Sequence, residues 1–398
     1  MSSIKEKLST APEMLEIPRK RQSFSIGIAK ETILQENRVA LVPVSVAYLV
    51  SNGHRVRVES QAGIKCNFSD LEYSEAGAEI VHSNNEVFSC DVILKVAPPT
   101  LEELDLFHSN QILISPLQIP LINSEYINKL RQKKVIALAM EYLKDDDGSF
   151  PLVRIMSEMA GISAIHTAAE LLSISSGGKG ILLGGISGVA PAKVVILGAG
   201  VVAEHATRAA MGLGACVHLF DNNIYKLMRI QSRIGHRLFT SSINPTELDK
   251  HLSDADVVIG AIHSKSGRTP MVVTEAMVAR MQPGSVIIDV SIDQGGCFET
   301  SEVTTHDKPT FNKYGVIHYC IPNIASKVPR TASIAISNII TPILAKAAHG
   351  RGIENIFFSH VNLRNGIYTY KGCLTNKYLS DRFGIKYTDI DLLITSTL

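Results

Sequence analysis

The clearest indication of the fold is the stretch at residues 191–223, PAKVVILGAGVVAEHATRAAMGLGACVHLFDNN. Lys193–Leu197 is apolar and rich in β-branched residues, which is typical of a buried parallel strand. The residues that follow place Gly198, Gly200 and Ala203 in the pattern G-x-G-x-x-A, where the strand turns into a helix. The stretch therefore predicts a βαβ unit that binds a dinucleotide.

Each small residue of the pattern has a physical reason. Gly198 permits the tight turn, and Gly200 lets backbone N–H groups approach a pyrophosphate at the positive end of the helix. Ala203 allows the helix to pack closely on the strand. A second apolar strand, Cys216–Phe220, ends on Asp221, whose carboxylate would bind a ribose 2′-hydroxyl and repel a 2′-phosphate. The predicted cofactor is therefore NAD rather than NADP, and a purely structural βαβ unit is the alternative.

The composition is that of a globular chain with little net charge. With 398 residues the chain is long enough for two or three domains, and 45% apolar against 19% charged residues supports a sizeable core. A formal net charge of +1 gives no reason to expect a nucleic acid or a membrane as partner. Six cysteines without C-x-x-C spacing, and no signal or membrane-spanning segment, indicate reduced, buried thiols in a cytoplasmic protein.

Strands and helices alternate on both sides of a polar break, KDDDGSF, at residues 144–150, after a charged N-terminal extension of residues 1–23. The first part has predicted strands at 25–30, 55–60, 92–96, 112–117 and 134–140, and predicted helices at 44–52, 71–81, 100–107 and 124–132. An apolar helix, 152–172, leads into the βαβ unit, and a second long helix, 331–350, is expected to return the chain to the first domain. The alternation implies parallel sheets covered on both faces.

Three loops follow further predicted strands of the second sheet. They are HSKSGRTP (263–270), SIDQGG (291–296) and IPNIASKVPR (321–330). Because open α/β sheets bind ligands at the carboxyl ends of their strands, we expect these loops to line a ligand site.

Several motifs, in order along the chain, carry a family resemblance. They are ENRVALVP (36–43), MSEMAG (156–161), GGKGILLGGISGV (177–189), VVILGAGVV (194–202), DVSIDQGGCFET (289–300) and IPNIASKVPRTAS (321–333). From about residue 24 onward the chain resembles the alanine dehydrogenases and the NAD-binding domain of proton-translocating transhydrogenases. The resemblance implies two Rossmann-like, doubly wound parallel-sheet domains with the active site in the cleft between them. The substrate domain would comprise 24–151 and 331–398, and the NAD-binding domain 152–330.

The resemblance also implies roles for residues that match the motifs. Arg38, in ENRVAL, would bind the substrate carboxylate through two parallel donors, a geometry that lysine cannot supply. Asp293, in IDQGG, would take part in catalysis beside the nicotinamide, and Asn323, in IPNIAS, would lie near nicotinamide and substrate. Ser157, in MSEMAG, and Asn222, in the segment DNN, complete the expected cofactor contacts.

Two positions depart from the family's pattern. The family's LKVKEP motif, whose second lysine polarises the keto oxygen, is LKVAPP here, so Ala97 stands in the place of that lysine. The family's catalytic histidine aligns with Gln118, in SPLQIP. An alanine cannot donate to a carbonyl, and a glutamine has no titratable proton near neutral pH. Lys95 lies on the same face of the predicted strand as Ala97 and is either a substitute for the lysine or a positioning residue.

Three functions from different classes fit these residues. The first is an NAD-dependent amino-acid dehydrogenase that deaminates L-alanine to pyruvate and ammonium, or acts on a close relative, with Lys95 and Gln118 in altered catalytic roles. The second is a soluble transhydrogenase-like module that passes hydride through a partner domain. The third is an NAD-binding protein with a regulatory or assembly role. The resemblance further implies a small-molecule substrate, an amino acid or 2-oxo acid, and a homo-oligomer, either a hexamer or a dimer.

Asp221 predicts a preference between the two nicotinamide cofactors. Titrations with NADH and with NADPH, followed by fluorescence, should show much tighter binding of NADH, because a 2′-phosphate would meet like charge at close range. Equal or tighter binding of NADPH would mean that the second strand ends at a different residue.

Overall fold

The computed structural model describes residues 23–33, 35–264, 267–348 and 361–395. These residues form two mixed, mainly parallel sheets with helices packed on their faces, which is the predicted α/β class with two Rossmann-like domains. The predicted N-terminal extension, apart from Ser23, lies outside the described residues. No helix among the described residues is both long enough and apolar enough to cross a membrane.

The first sheet has eight strands in the order β15-β14-β6-β5-β4-β1-β2-β3. They are β1 (Ser25–Ile28), β2 (Arg55–Glu59), β3 (Glu79–Val81), β4 (Val92–Leu94), β5 (Ile112–Ser115), β6 (Ile136–Ala139), β14 (Ile367–Tyr370) and β15 (Cys373–Leu374). Strands β1 to β6 are parallel, whereas β14 and β15 pair antiparallel at one side. The carboxyl ends of β1, β4, β5 and β6 lie in register, so the loops after them share one edge.

Helices cover both faces of the first sheet. They are α1 (Pro43–Ser51), α2 (Asp70–Glu75), α3 (Asn84–Phe88), α4 (Leu101–Asp105), α5 (Ser124–Gln132), α12 (Val361–Arg364), α13 (Lys377–Phe383) and α14 (Ile390–Thr395). The start of α4 is fixed by a capping box: Glu103 N donates to Thr100 Oγ1, and Thr100 N donates to Glu103 Oε2. This box orients the Glu103 side chain, which also reaches the sheet edge.

The second sheet has seven strands in the order β12-β13-β11-β10-β7-β8-β9. They are β7 (Lys193–Leu197), β8 (Cys216–Phe220), β9 (Phe239–Ser241), β10 (Val257–Gly260), β11 (Val286–Asp289), β12 (Thr310–Lys313) and β13 (Val316–Tyr319). The helices of this part of the chain are α6 (Pro151–Leu171), α7 (Val201–Gly212), α8 (Ile224–Ile234), α9 (Pro245–Ser253) and α10 (Glu275–Val278), and α11 (Pro329–Ala348) follows the last strand. Only β12 is antiparallel to its neighbour among these strands.

Two long helices connect the sheets. Helix α6 packs on α7 at Gly161, where a Cβ would overlap Val202 O and would lie 2.8 Å from Ala206 N. Helix α11 packs on the first sheet: its Ile336, Ile340 and Leu344 are buried in the same hydrophobic core as the residues of that sheet. Two of its serines also hold the segment before α1: Val39 N donates to Ser333 Oγ at 2.9 Å, and Val42 N donates to Ser337 Oγ at 2.8 Å. The second long helix therefore returns to the first sheet, as expected.

The predicted fold class is confirmed, and the structure differs from the sequence predictions in three details. The helix expected over 71–81 ends at Glu75, because Gly77 takes a φ of +88° and the chain then forms β3 at the sheet edge. Both sheets are mixed rather than purely parallel, since the antiparallel strands β12, β14 and β15 were not expected. All six cysteines are free, but Cys216 and Cys373 are half-buried rather than buried.

The contact between α6 and α7 predicts opposite effects for one substitution at two helical glycines. Gly161→Ala should lower the midpoint of urea unfolding, because its Cβ would overlap backbone atoms of α7 at a cost of about 1–3 kcal/mol. Gly212→Ala is the matched control: a Cβ at this last residue of α7 meets no atom within 4 Å, so helix propensity should raise stability slightly, by at most about 0.5 kcal/mol. A Gly161→Ala protein as stable as the parent would show that α6 and α7 can shift apart at no cost in unfolding free energy.

Candidate active site

Two glycines with different constraints shape the turn between β7 and α7. Gly198 has a φ of +107°, and a Cβ at this position would overlap Ala261 O. Gly200 has a φ of −86°, and a Cβ there would meet no atom within 4 Å, so the space before the first turn of α7 is open. Ala203 is fully buried in the core of the second sheet. A phosphate could therefore approach the N–H groups of the first turn directly.

Asp221 follows β8 and stabilises the turn between β7 and α7 through hydrogen bonds. Its Oδ2 accepts from Ala199 N at 2.7 Å, and its Oδ1 accepts from Asn223 N at 2.7 Å. Lys226 Nζ lies 3.8 Å from Oδ2, which offsets part of the negative charge. Because each carboxylate oxygen has a second lone pair, Asp221 can hold the turn and still accept from a ribose hydroxyl.

The two remaining predicted cofactor residues are less constrained. Asn222 is exposed, and its Oδ1 accepts from Ile243 N at 2.9 Å, which leaves its Nδ2 for another acceptor. Ser157 is half-buried on α6, and its hydroxyl makes no hydrogen bond with the described residues. Ser157 is next to Met156, whose Sδ accepts from Arg38 NH1 at 3.3 Å, so this part of α6 lies beside the predicted substrate residue.

Arg38 is buried and already bound on one edge of its guanidinium. Its Nε donates to Glu36 Oε1 at 2.7 Å and its NH2 donates to Glu36 Oε2 at 2.6 Å. This bidentate pair uses two of the five N–H donors. The edge formed by NH1 and NH2 has only the weak acceptor Met156 Sδ, so it is the edge on which a substrate carboxylate could dock.

Glu36 also connects the two domains. Asn323, which follows β13 of the second sheet, donates from Nδ2 to Glu36 Oε2 at 2.8 Å. Beside this bond Asn37 N donates to Ser326 Oγ at 3.0 Å, and Ser326 Oγ donates to Gln35 O at 2.8 Å. The segment that carries Arg38 is thus docked on the segment that carries Asn323.

Asp293 lies on a 3-10 turn, Val290–Gln294, directly after β11. Desolvation by the surrounding protein raises the pKa of Asp293 to about 6, while a hydrogen bond from the Asn323 backbone and the charge of Arg38 act in the opposite direction. The side chain is nevertheless exposed, and contact with water limits such a rise. Asp293, Asn323 and Arg38 therefore act on one another at the junction of the two domains.

Lys95, directly after β4, is completely buried in an ion-pair cluster. Its Nζ donates to Glu103 Oε1 at 2.9 Å and lies 3.4 Å from Glu31 Oε2, an atom that makes no hydrogen bond of good geometry. Burial acts to lower the pKa of Lys95, but the two carboxylates outweigh it, so the pKa is raised. Desolvation raises the pKa of Glu31 to about 7. This geometry favours the positioning role for Lys95, because its ammonium group has no exposed surface.

Ala97 and Gln118 lie at the same edge as Lys95. Ala97 is buried, whereas Gln118 is half-buried and its side chain makes no hydrogen bond with the described residues. Gln118 has a φ of +40° and begins the 3-10 turn Ile119–Leu121, just as Asn323, with a φ of +60°, begins the turn Ile324–Lys327. Left-handed backbone at non-glycine residues is uncommon and is a frequent feature of functional loops.

Three glutamates at the site were not predicted. Glu31 and Glu36 pair with the cations described above, and Glu141 follows β6, with its Oε1 accepting from Leu117 N at 2.8 Å. Glu141 Oε2 is buried without a hydrogen bond to the described residues, and burial raises the pKa of this carboxyl. Glu31 lies three residues after β1 and Glu141 two residues after β6, which was the available signal, whereas Glu36 lies in the long segment between β1 and α1. No three His, Cys, Asp or Glu residues within the described ranges are grouped to hold a metal ion.

Comparisons with known proteins agree with this architecture. The family models described as "Alanine dehydrogenase/PNT, N-terminal domain" and "Alanine dehydrogenase/PNT, C-terminal domain" match residues 27–160 and 164–377. Alanine dehydrogenase 2 of Staphylococcus aureus (strain USA300) is 40% identical over 370 residues, 92% of this chain and 99% of that protein. A solved L-alanine dehydrogenase has a TM-score of 0.85 at 37% identity, covering 90% of this chain and 99% of its own. A solved transhydrogenase from Sinorhizobium meliloti has a TM-score of 0.75 at 25% identity, covering 89% and 99%.

The turn after β7 predicts that stability and cofactor binding can be separated. Gly200→Ala should fold with parental stability but bind NADH about tenfold more weakly or worse, because its Cβ would occupy the open space in front of α7. Gly198→Ala should instead lower the thermal unfolding temperature, since it combines a positive φ with a backbone overlap. Parental NADH affinity in Gly200→Ala would remove this turn from the candidate site.

Proposed function

The chain belongs to the alanine dehydrogenase/PNT family, and from this premise we propose that it is an NAD-dependent alanine dehydrogenase-like oxidoreductase. The proposed reaction is the oxidative deamination of L-alanine to pyruvate and ammonium, or of a close relative. The observation that carries the proposal is the NH1–NH2 edge of Arg38, whose acceptor is only the thioether of Met156, beside Asp293 and Asn323 at the junction of the two domains.

The proposed cofactor residues are those of the turn after β7 and the end of β8. Gly198 and Gly200 would admit the pyrophosphate, Asp221 would accept from the adenosine ribose, and Asn222, Ser157 and Asn323 would complete the contacts. NAD, when bound, supplies the acceptor for the hydride that leaves the substrate carbon. These roles are supported by the open space before α7 and by the buried Asp221, which accepts hydrogen bonds from two backbone N–H groups.

On the substrate side, Arg38 would orient the carboxylate through two parallel hydrogen bonds. Asp293 would act next to the reacting carbon, and desolvation raises its pKa above that of a free aspartate, which favours proton exchange. Lys95 would position the loop after β4 through Glu103 and Glu31 rather than bind the keto oxygen. Gln118 could offer one neutral hydrogen bond but no proton transfer.

Ala97 and Gln118 support a second candidate function. A transhydrogenase-like module passes hydride between two nucleotides and needs neither a keto-polarising lysine nor a proton-transferring histidine. The two positions fit this function, and an NAD-binding regulatory role would also tolerate them. Turnover of alanine with NAD separates the first proposal from both alternatives.

We also propose that the chain forms a homo-oligomer. The segment between α6 and β7 exposes a group of large apolar side chains, namely Ile174, Leu182, Ile186 and Val189, each more than half exposed. Contiguous exposed apolar side chains are typical of protein interfaces. A second copy of the chain would cover them in a dimer or a hexamer.

The missing lysine and histidine predict a gain of activity. Reductive amination of pyruvate by the parent should be weak but measurable, and Ala97→Lys with Gln118→His should raise it by roughly tenfold or more. The two substitutions should be non-additive, because both act on one carbonyl. NADH oxidation with pyruvate and ammonium would be measured for the parent, both single variants and the double variant.

Folding and NADH binding of every variant would serve as controls, since a lysine at the buried position 97 must find room. No gain in a folded, NADH-binding double variant would mean that the pocket does not accept pyruvate. The transhydrogenase-like or non-catalytic function would then be preferred.

A further inference from the structure

Glu36 is the only described residue whose side chain bonds both Arg38 and Asn323. It is buried, and its carboxylate accepts from Arg38 Nε, Arg38 NH2 and Asn323 Nδ2 at 2.6–2.8 Å, and from Arg38 N at 3.0 Å. Arg38 lies in the first domain and Asn323 in the second. Both of the Glu36 oxygens are therefore used, and one of them, Oε2, is shared between the two domains.

Neutralising Arg38 does not by itself require this arrangement. A carboxylate that only neutralised a buried guanidinium would need no bond to the second domain. Glu103, for example, neutralises Lys95 entirely within the first domain. Glu36 instead places its second oxygen between Arg38 NH2 and Asn323 Nδ2. The amide of Asn323 is thereby oriented, because a carboxylate accepts only from its NH2 side, so Asn323 Oδ1 faces away as an acceptor.

We propose that Glu36 couples substrate binding to cofactor binding, as a positioning residue that joins Arg38 to Asn323. The inference rests on the proposed function, because it takes Arg38 as the carboxylate site and Asn323 as a cofactor contact. A carboxylate that docks on the NH1–NH2 edge fixes the guanidinium plane, and Glu36 transmits that orientation to the Asn323 amide through one shared oxygen. We name Glu36, Arg38 and Asn323 the interdomain latch.

The coupling between substrate binding and cofactor binding is reciprocal. An effect of the substrate on cofactor affinity must equal the effect of the cofactor on substrate affinity. Because the intermediate group is a single side chain with short bonds, no rearrangement of the sheets is needed. Neighbouring bonds of Asn37 and Ser326 keep the two segments together, so loss of Glu36 should uncouple the sites without separating the domains.

The test compares Glu36→Gln with Glu79→Gln. Glutamine keeps the size of Glu36, but its NH2 group must replace either Oε1, which faces Arg38 N and Nε, or Oε2, which faces Arg38 NH2 and Asn323 Nδ2, and all of these groups donate. Glu79 forms an exposed ion pair with Arg57 on the first sheet and provides the same charge change away from the cleft. NADH affinity would be measured by fluorescence with and without saturating pyruvate, in the absence of ammonium.

Pyruvate should tighten NADH binding about fivefold or more in the parent and in Glu79→Gln, and less than twofold in Glu36→Gln. Turnover of pyruvate and ammonium by the parent decides the proposed function separately. A folded Glu36→Gln protein with the parental ratio would overturn the latch. So would a parent that turns over pyruvate but shows no effect of pyruvate on NADH affinity.

Hydrogen exchange of the ligand-free protein supplies a readout that needs no substrate. In Glu36→Gln the amides of 35–39 and of 323–328 should both exchange several-fold faster than in Glu79→Gln. Faster exchange in 35–39 alone would show that Glu36 serves Arg38 only, and would overturn the coupling. If the parent neither turns over pyruvate nor responds to it, the proposed function fails and this exchange experiment alone decides the latch.

Discussion

Charges buried at the carboxyl edge of the first sheet must be paired, and this constraint organises the candidate site. Arg38 and Lys95 are both buried, and an unpaired cation in such a place would cost several kcal/mol. Each is therefore bound to a glutamate, Glu36 for Arg38 and Glu103 for Lys95. The glutamates in turn fix local structure, because Glu103 also caps α4 and Glu36 also holds Asn323.

The sheets themselves explain why the candidate site residues follow strands. Parallel strands end at one edge, and the residues directly after them enter the site in short 3-10 turns, as Asp293 and Asn323 do. The backbone of these turns is not freely chosen. Gln118 and Asn323 have positive φ values, which the buried packing of the neighbouring strands must enforce. Placement at the edge thus comes from the sheet, and orientation comes from the pairing of buried charges.

The difference between placement by the sheet and orientation by charge pairing also determines how much of the structure the sequence could predict. The βαβ unit around Gly198, the strands of both sheets and the long helices follow from apolar periodicity, which is a local property. Strand β3 and the antiparallel strand β14 were missed because their pairing depends on distant partners. Glu36 was missed for the same reason. Its bond to Asn323 spans 287 positions in the chain, and nothing in the local pattern ENRVAL distinguishes a solvated glutamate from a buried one.

Charge balance then decides what the first domain offers to a substrate. Glu36 pairs with Arg38 and Glu103 pairs with Lys95, while Glu31 lies 3.4 Å from Lys95 Nζ. Desolvation raises the pKa of Glu31, so this carboxyl takes up a proton more readily than a free glutamate does, and Lys30 and Lys65 line the same space. A substrate carboxylate would therefore meet buried cations whose charges are largely offset by the paired glutamates. It would be recognised through the donor geometry of the NH1–NH2 edge of Arg38, which selects a planar carboxylate by shape rather than any anion by charge.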